Sequence, residues 1–596
     1  MFGINKRVLT FLFGFLALVF VVGAVLLFTP QAGGEARGRP VLWVNGKPVH
    51  ELDLLRLQGN DPLYAANPQG LLKTLVDTHF LEQVILTEAL KQDAARIRVG
   101  SAEVRREVDR IREQFGLREK RAYEGFLNQI GYTDAQLRAE IRTQLQIQRR
   151  LEQIRSAAKP SPEEVRFYFE VHQEDYRTEP RVLARQIVVD DERLAEELMA
   201  KAKAGEDFAA LARERSRVGA EQGGALGAAP GESDPRPVSR VVFPEKVAER
   251  VFALRGPGLV GPIEAGGRYY LVKVEEYLPP RVPSFEEVRD QVERDAQEAK
   301  GDGALEAYLA NLRQRAQVRF AEGVAYQNPV VARVNGAEIL LSQVLQPAFS
   351  NPQTAVLIQQ GLGELVVQFF LPQTLEALVD REVLVKAAKE SGGPFIGSKE
   401  EIAQAYLLYR TREVAATEAE ARRFYAENPA LFTVPARAEV VGVAFREETR
   451  ARAFREAALR ATDLQALARA QEGTVTEYGT VLPNQLPGVL DRLVFRTADV
   501  FARGALGEVS EVLKLEDGTF FVVLVRDRRP EALKPYEEVK EEALEGVRNR
   551  KRQEKAQSLI QSLRQQTEVE KLLTQVLADL APETKEGEEE SPEENP

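Results

Sequence analysis

The 596-residue sequence contains no cysteine and only three histidines, and these shortages remove several kinds of chemistry. Without cysteine the chain forms no disulfide, no thiolate nucleophile and no cysteine-ligated metal site. The histidines are His50, His79 and His172, and their spacing is not that of metal ligands. From so few histidines no Ser-His-Asp triad can be assembled. We therefore predict neither metal nor cofactor, and we interpret His79, which lies on an apolar helical stripe, as a core residue.

Positive charge is also in short supply, because 91 acidic residues outnumber 80 lysines and arginines and give a net charge of -11. Nucleic-acid binding requires a basic surface, so the charge argues against it as the main task. No glycine-rich stretch has the spacing of a phosphate loop. Part of the negative charge lies in residues 582–596, whose composition of Glu, Ser, Pro and Gly predicts a disordered tail.

One long apolar run stands near the N-terminus. Val8–Phe28 carries no charge and follows Lys6 and Arg7. Its length suits one helix across a hydrocarbon core of about 30 Å, and the preceding cations predict a cytoplasmic N-terminus. We interpret the run as an uncleaved anchor, with a cleaved signal peptide as the alternative. Everything after it would then face an extracytoplasmic space.

The rest of the chain repeats one plan twice. A Val-Asn-Gly hairpin pattern occurs in 41–49 and again in 331–339, and the Asn-Gly pair favours a tight turn. A helix-rich region follows each hairpin. Further echoes lie 256 residues apart, at 161–169 and 417–425 and at 207–213 and 463–469. This sustained register indicates an internal duplication.

A chain of this length requires several domains, roughly three to five. We predict an α+β multidomain protein with an N-terminal transmembrane helix, mostly helical domains and two α/β modules in tandem. The predicted segments are the cytoplasmic N-terminus 1–7, the anchor 8–28, a linker 29–40, a helical domain 41–178, an α/β module 179–280, a helical connector 281–327, a second helical domain 328–433, a second α/β module 434–530, a C-terminal helix 531–581 and the tail 582–596.

Residues 184–278 carry motifs that can be compared with a known family. They begin with a β-branched strand, continue through Gly-Glu-Asp-Phe-Ala-Ala-Leu-Ala at 205–212 and Gly-Gly-Ala-Leu-Gly at 223–227, and close with the strand 269–274. This order resembles the parvulin family of prolyl isomerases, in its PpiC type. The resemblance implies a pocket that eases rotation about an amide whose barrier is ~18–20 kcal/mol, without a cofactor.

The resemblance places two facing histidines at Gln186 and Tyr270 and a Cys or Asp at Val218. This chain therefore lacks the family's polar residues at all three positions. The apolar, substrate-binding wall is better matched. Its residues would be Leu226, Val242, Val247 and Phe252.

The second module departs further from the parvulin pattern. Gly442 and Phe521 stand where the resemblance expects histidines, and Gly479 stands in the expected glycine turn. We therefore expect the fold of the family here without its activity.

The hairpins and the helices that follow them are similar to the chaperone domain of SurA-type proteins. With the apolar N-terminal run, the chain resembles membrane-anchored periplasmic foldases of the PpiD and SurA type. The resemblance implies a single-pass inner-membrane protein that binds unfolded, proline-containing or newly translocated polypeptides beside the translocon. The functions left open are a chaperone, an active peptidyl-prolyl isomerase that uses the first module, and a scaffold for an envelope complex.

The second helical domain contains a strongly apolar stretch, Leu357–Leu371. In a monomer such a stretch is expected in the core. If part of it were exposed, it would offer a cradle for unfolded chains or a homodimer contact.

Overall fold

The computed structural model describes residues 38–59, 61–129, 132–497 and 500–581. The predicted N-terminus 1–7, anchor 8–28, most of the linker and the acidic tail lie outside these residues. No helix in the described ranges is long and apolar enough to cross a membrane. The described residues divide into two compact units, one formed by those up to Arg410 together with those from Leu559 onward and the other by Thr411–Ser558.

The first helical domain opens with a hairpin and continues as a series of helices. Its elements are β1 (Pro40–Val44), β2 (Lys47–His50), α1 (Glu51–Gln58), α2 (Pro62–Ala65), α3 (Gly70–Ala94), α4 (Ser101–Gln114), α5 (Lys120–Gln129), α6 (Asp134–Ala157) and α7 (Pro162–His172). Thr133 and Ser161 form capping boxes at the starts of α6 and α7, so these helix starts are fixed by local sequence.

The first module is a three-stranded antiparallel sheet with helices on both faces. Its elements are β3 (Arg181–Val189), α8 (Glu192–Lys203), α9 (Phe208–Arg215), α10 (Glu245–Ala253), β4 (Gly258–Ala265) and β5 (Arg268–Leu278). The strand order is β3-β5-β4. One face of the sheet packs on α10 and the other packs on α8 and α9. The module therefore has two small hydrophobic cores, one on each side of the sheet.

After this module the chain returns to the first helical domain through α11 (Phe285–Arg315) and β6 (Val318–Phe320), and β6 pairs with β1. The predicted connector 281–327 is thus part of the helical domain and ends in a strand. Asn45 explains the pairing, because its Oδ1 accepts a hydrogen bond from the Gln317 amide at 2.9 Å. The turn asparagine therefore also holds the returning strand.

Polar contacts fasten α11 to the helices that precede the module. Arg313 pairs with Glu82 of α3 at 2.7 Å, and Lys300 pairs with Glu164 of α7 at 2.6 Å. The Tyr308 hydroxyl donates to Asp93, which also accepts from Arg150. Several of these pairs are partly buried and share partners. They therefore hold α11, the helix that follows the module, against the first helical domain.

The second helical domain repeats the first. Its elements are β7 (Val330–Val334), β8 (Ala337–Leu340), α12 (Leu341–Phe349), α13 (Pro352–Gln359), α14 (Gly363–Leu365), a π-helical turn (Val366–Phe370), α15 (Leu371–Glu390) and α16 (Lys399–Thr411). The two helical domains share one core, which residues 63–76 of the first and residues 331–383 of the second fill together.

The stretch Leu357–Leu371 is only partly in that core. Ile358, Val366 and Leu371 are buried, whereas Leu365 is about two-fifths exposed and Phe369 is 61% exposed. The stretch is therefore partly exposed, and the expectation of a fully buried stretch is wrong. The π-helical turn rotates Phe369 outward while Val366 and Leu371 remain inside.

The second module lies in the unit Thr411–Ser558 and has more strands than the first. Its elements are α17 (Glu418–Glu427), β9 (Thr433–Val434), β10 (Arg437–Phe445), α18 (Glu448–Ala458), α19 (Leu464–Ala470), β11 (Thr474–Val481), α20 (Gly488–Arg496), β12 (Ala502–Gly504), β13 (Gly507–Val509), β14 (Leu513–Lys514), β15 (Phe520–Arg529) and β16 (Ala532–Leu533). The main sheet has the order β11-β10-β15-β13-β12. Gly479, expected in a turn, lies within β11 with a φ of 69° beside a bulge in the pairing with β10.

The predicted C-terminal helix 531–581 is wrong as a single element. The segment contains α21 (Tyr536–Gln565), β17 (Val569–Lys571) and α22 (Leu573–Leu580). β17 pairs with β7, and the Asn335 side chain accepts from the Glu568 amide at 3.3 Å. The second helical domain is therefore closed by a returning strand in the same way as the first.

Candidate functional site

Gln186 and Tyr270 lie on the same face of the first module's sheet. Gln186 pairs with Val272, and Tyr270 pairs with Val188, so the two side chains are diagonal neighbours on the adjacent strands β3 and β5. Val272 belongs to the core on the α10 side, and the Tyr270 ring packs against that core. Since alternate residues of a strand share a face, the structure brings together the two positions where the resemblance expects histidines.

The polar atoms of this pair are unused. Within the described residues neither the Gln186 carboxamide nor the Tyr270 hydroxyl has a hydrogen-bond partner, and neither is fully buried. The carboxamide offers donors and an acceptor, and the hydroxyl offers one donor and two acceptor lone pairs. The site can therefore bind or orient an amide, but it contains no histidine, cysteine or carboxylate among its three family positions.

Val218 occupies the third family position in the loop after α9, beside the end of β3. Ser216 fixes its loop, because the Ser216 hydroxyl accepts from the Val188 amide at 3.1 Å and donates to the Val218 carbonyl at 2.7 Å. The Val218 side chain is 40% exposed. Its loop is therefore joined to the residue that pairs with Tyr270, and Val218 adds apolar surface there instead of an ionisable group.

Three of the four predicted wall residues form one buried cluster. Leu226, Val247 and Phe252 pack together with Phe243 and Val238, which the sequence did not single out. The fourth predicted residue, Val242, is not in this wall.

Val242 is 48% exposed because it ends a one-turn 3-10 helix, Arg240–Val242, at the edge of the cluster. Val241 is exposed beside it. The guanidinium of Arg240 lies over the Phe252 ring, 5.8 Å from its centroid. Together these residues form a lip of apolar surface with one cation.

A glycine turn fixes the backbone of the site. Gly224 has a φ of 72°, and a Cβ there would lie 2.2 Å from the Gln186 carbonyl oxygen. Its own carbonyl accepts the Gln186 amide at 2.8 Å. Only glycine allows this approach, so the turn sets the position from which the Gln186 side chain leaves the strand.

The corresponding positions of the second module are filled by an aromatic ring. Phe521 is 5% exposed, and a Cβ on Gly442 would lie 2.2 Å from its Cζ and 3.0 Å from Cε2 of Tyr478. Phe521 also packs with Leu490 and Val494 of α20 in a single cluster. The space above β10 and β15 is therefore occupied by the module's own core.

Models of known domain families match both α/β modules and the N-terminal region of the chain. A model of the PPIC-type peptidyl-prolyl isomerase domain matches residues 160–290 and again 416–541. A model of the SurA-like N-terminal domain matches residues 3–151. The chain carries a SurA-like domain and two PPIC-type domains. The repeat of the α/β module, its parvulin resemblance and the SurA resemblance of the first helical domain are thereby confirmed, and the two α/β modules are the first and second PPIC-type modules.

Similar proteins include bacterial foldases. YacD of Bacillus subtilis, named a putative peptidyl-prolyl cis-trans isomerase, is 25% identical over 303 residues, which are 50% of this chain and 92% of YacD. The foldase protein PrsA of Caldanaerobacter subterraneus subsp. tengcongensis is 31% identical over 174 residues, 29% of this chain and 48% of that protein. A solved structure from work on the SurA-like chaperones PEB4 and Cj1289 of Campylobacter jejuni is 12% identical and covers 48% of this chain and 100% of its own, with a TM-score of 0.25.

His50 and His79 lie outside both matched PPIC-type ranges, and His172 ends α7, before the first strand of the first module's sheet. His79 is 4% exposed, its Nε2 is 2.6 Å from the Gln83 carboxamide, and its ring meets Phe349 edge-on. Burial lowers the pKa of His79 to about 4, so the side chain is neutral at physiological pH. The prediction of a core histidine is confirmed. Among the described residues no group of His, Asp and Glu is arranged to hold a metal ion.

Proposed function

We propose that the protein is a membrane-anchored extracytoplasmic chaperone that binds unfolded or newly translocated polypeptides through the first PPIC-type module and the helical domains. The observation that carries this proposal is the apolar wall of the first module with the exposed Val241 and Val242 at its edge, beside polar positions that hold Gln186, Val218 and Tyr270. Burial of client apolar groups needs no proton transfer and tolerates many sequences. We propose that clients bind at this exposed edge, and we call the edge with the wall behind it the pocket.

A second apolar surface supports the same function. Val356, Leu362, Leu365 and Phe369 are exposed on the second helical domain. Exposed apolar groups that lie together are typical of sites where proteins bind. A client with several apolar stretches could thus contact the pocket and this surface at once, which would raise its overall affinity.

Suppression of aggregation tests the proposal. An unfolded client would be diluted into buffer with the full-length chain in detergent, and light scattering would be followed. We expect Phe252→Ala to weaken the suppression and Arg250→Gln, an exposed residue of the same helix, to leave it unchanged. Failure of the unmodified chain to suppress aggregation would contradict the chaperone function and favour a scaffold in an envelope complex.

A second function, prolyl isomerisation by the first module, is favoured by the unpartnered groups of Gln186 and Tyr270. These groups could hold a prolyl amide while the apolar wall accommodates its ring. NMR exchange spectroscopy on a proline peptide measures isomerisation without a coupled protease. A rate above background that falls in Tyr270→Phe and in Leu226→Ala would establish this function. A rate equal to background would exclude it and leave the chaperone function untouched.

We also propose that Val8–Phe28 anchors the chain in the inner membrane with the N-terminus in the cytoplasm. The support is the length of this uncharged run and the cations Lys6 and Arg7 before it. Carbonate extraction of membranes and a mass measurement of the mature N-terminus test the placement. A mature chain that starts after residue 28 would replace the anchor by a cleaved signal peptide.

A further inference from the structure

A cavity of about 900 Å³ lies where the first PPIC-type module joins the first helical domain. The module contributes Val238, Ser239 and Val242 to its lining, and α11 contributes Val288 and Gln291. All of these residues belong to one compact unit. The volume is within the range of pockets that bind ligands.

The walls of the cavity are held by contacts within the chain. The Tyr176 hydroxyl donates to Asp295 of α11 at 2.8 Å. Thr178 and Arg281 join the two connecting segments, because the Thr178 amide donates to the Arg281 carbonyl at 2.9 Å. Arg281 also pairs with Glu287 at the start of α11. These contacts keep the connections between module and helical domain in place, so the cavity exists before any ligand arrives.

Four other lining residues have unused polar groups. Within the described residues Glu179, Arg181, Ser239 and Gln291 make no side-chain hydrogen bond or ion pair. Their formal charges cancel, and together they offer both donors and acceptors. This combination does not favour an anion or a cation. It suits a polypeptide backbone, which presents one N–H and one C=O at almost every residue.

The cavity borders the apolar wall of the first module. Val238 lines the cavity and is also part of the buried wall with Phe243 and Phe252. Val242 lines the cavity and forms the lip. A client whose apolar side chain binds at the lip would place its flanking residues at the cavity, because an extended chain advances about 3.3 Å per residue.

We propose that this cavity, defined by Glu179, Arg181, Ser239 and Gln291, is a subsite for the flanking residues of an extended client whose apolar or prolyl side chain occupies the pocket of the first module. The proposal rests on the proposed client-binding function of that pocket and adds where the rest of the client lies. It makes the affinity of the module depend on client length.

Two labelled peptides test this dependence with the full-length chain in detergent. The short probe is fluorescein-Ala-Phe-Pro-Ala. The long probe carries the same four residues with four additional residues, alanines and serines, on each side. Fluorescence anisotropy gives both dissociation constants. We expect the long probe to bind about ten-fold more tightly, because two or three backbone hydrogen bonds each add a modest amount. Equal affinities would overturn the subsite.

Matched variants locate the effect. Gln291→Trp fills the cavity from an exposed position of α11, and Glu298→Trp places the same ring on an exposed position two turns further along, outside the lining. Gln291→Trp should abolish the advantage of the long probe and leave the short probe unchanged, whereas Glu298→Trp should change neither. An unchanged advantage in Gln291→Trp, or an equal loss in Glu298→Trp, would overturn the assignment.

A third variant separates the subsite from the pocket. Arg181→Ala should weaken only the long probe, by about three-fold, while Phe252→Ala should weaken both probes. If the unmodified chain bound neither probe, the proposed function of the pocket itself would fail. If it bound both equally and Phe252→Ala weakened both, that function would stand and the subsite alone would be rejected.

Discussion

The two PPIC-type modules differ in which side chains fill the space over the family's site positions. In both, the family's facing pair of positions lies on two adjacent strands, β3 and β5 in the first module and β10 and β15 in the second. In the first module Gln186 and Tyr270 stand there half-buried and without partners. In the second module Phe521 covers Gly442 and closes the space.

This difference separates two consequences of losing the histidines. The first module lacks the family's histidines and has polar groups and an exposed lip beside its apolar wall, which is where the proposed function places the client. The second module fills the space with its own core, so its ring adds to stability. Under the proposed function, one copy of the duplicated fold would bind clients and the other would be a packed structural module.

The largest expected effect comes from removing the ring that closes the second module. Phe521→Ala should lower the free energy of unfolding of that module by about 3–5 kcal/mol, because a buried phenylalanine is lost and a cavity is left. The matched change Tyr270→Ala in the half-buried site of the first module should cost only about 1 kcal/mol. Hydrogen exchange of the amides of β10, β15, β3 and β5 in the full-length chain reports both values. Equal losses would remove the contrast between the modules.

Several elements follow directly from local sequence, and the hairpins are the clearest case. Asn45 and Asn335 have φ values of 50° and 47°, as a tight Asn-Gly turn requires. The returning strands β6 and β17 have three residues each and pair with strands more than 230 positions away. Such short segments carry no detectable alternation, and nothing local marks their partners. This is why 531–581 was predicted as one helix.

The candidate site residues also differ in how far local sequence could predict their placement. Leu226, Val247 and Phe252, chosen by their apolar character and their order along the parvulin pattern, lie in one buried cluster. Val242 lies outside that cluster because a single 3-10 turn carries it outward, and no periodicity reveals one turn. The closure of the second module depends on the Phe521 ring lying over Gly442, and a glycine diagonal to a large aromatic on adjacent strands is a signal that could have suggested it.

Acidification distinguishes the helical domains from both modules, since neither module contains a histidine. Burial lowers the pKa of His79 to about 4, whereas the unfolded chain takes up this proton near pH 6.5. His79 therefore costs nothing well above pH 6.5, and stability is lost progressively as the pH falls from 6.5 to 4, by about 3 kcal/mol in total. Thermal unfolding of the helical domains at several pH values, compared with His79→Leu, isolates this contribution from that of the carboxylates. Parallel pH profiles of the two proteins would contradict it.

A smaller effect is expected from adding one methyl group beneath the ring of the second module. A Cβ on Gly442 would lie 2.2 Å from Phe521, so Gly442→Ala should cost about 1–3 kcal/mol by overpacking. Gln186→Ala at the equivalent position of the first module should cost under about 0.5 kcal/mol. The two changes in the second module should also be coupled, because Phe521→Ala leaves room for the methyl group. A double variant that is destabilised by the full sum of the single effects would show that the ring and Gly442 do not compete for the same space.

The smallest effect concerns the lip of the first module, which has no open counterpart in the second. Arg240 lies over Phe252 and has no carboxylate partner among the described residues. A client with an acidic residue beside its apolar anchor should gain about two-fold in affinity at low salt, the size of an exposed ion pair. Arg240→Gln should remove this preference, and Arg250→Gln, which removes an exposed cation on α10 outside the lip, should retain it. Anisotropy measurements with Glu-Phe-Pro and Gln-Phe-Pro peptides provide the comparison. A preference that survives Arg240→Gln, or that 0.5 M salt does not reduce, would place the charge discrimination outside this pocket.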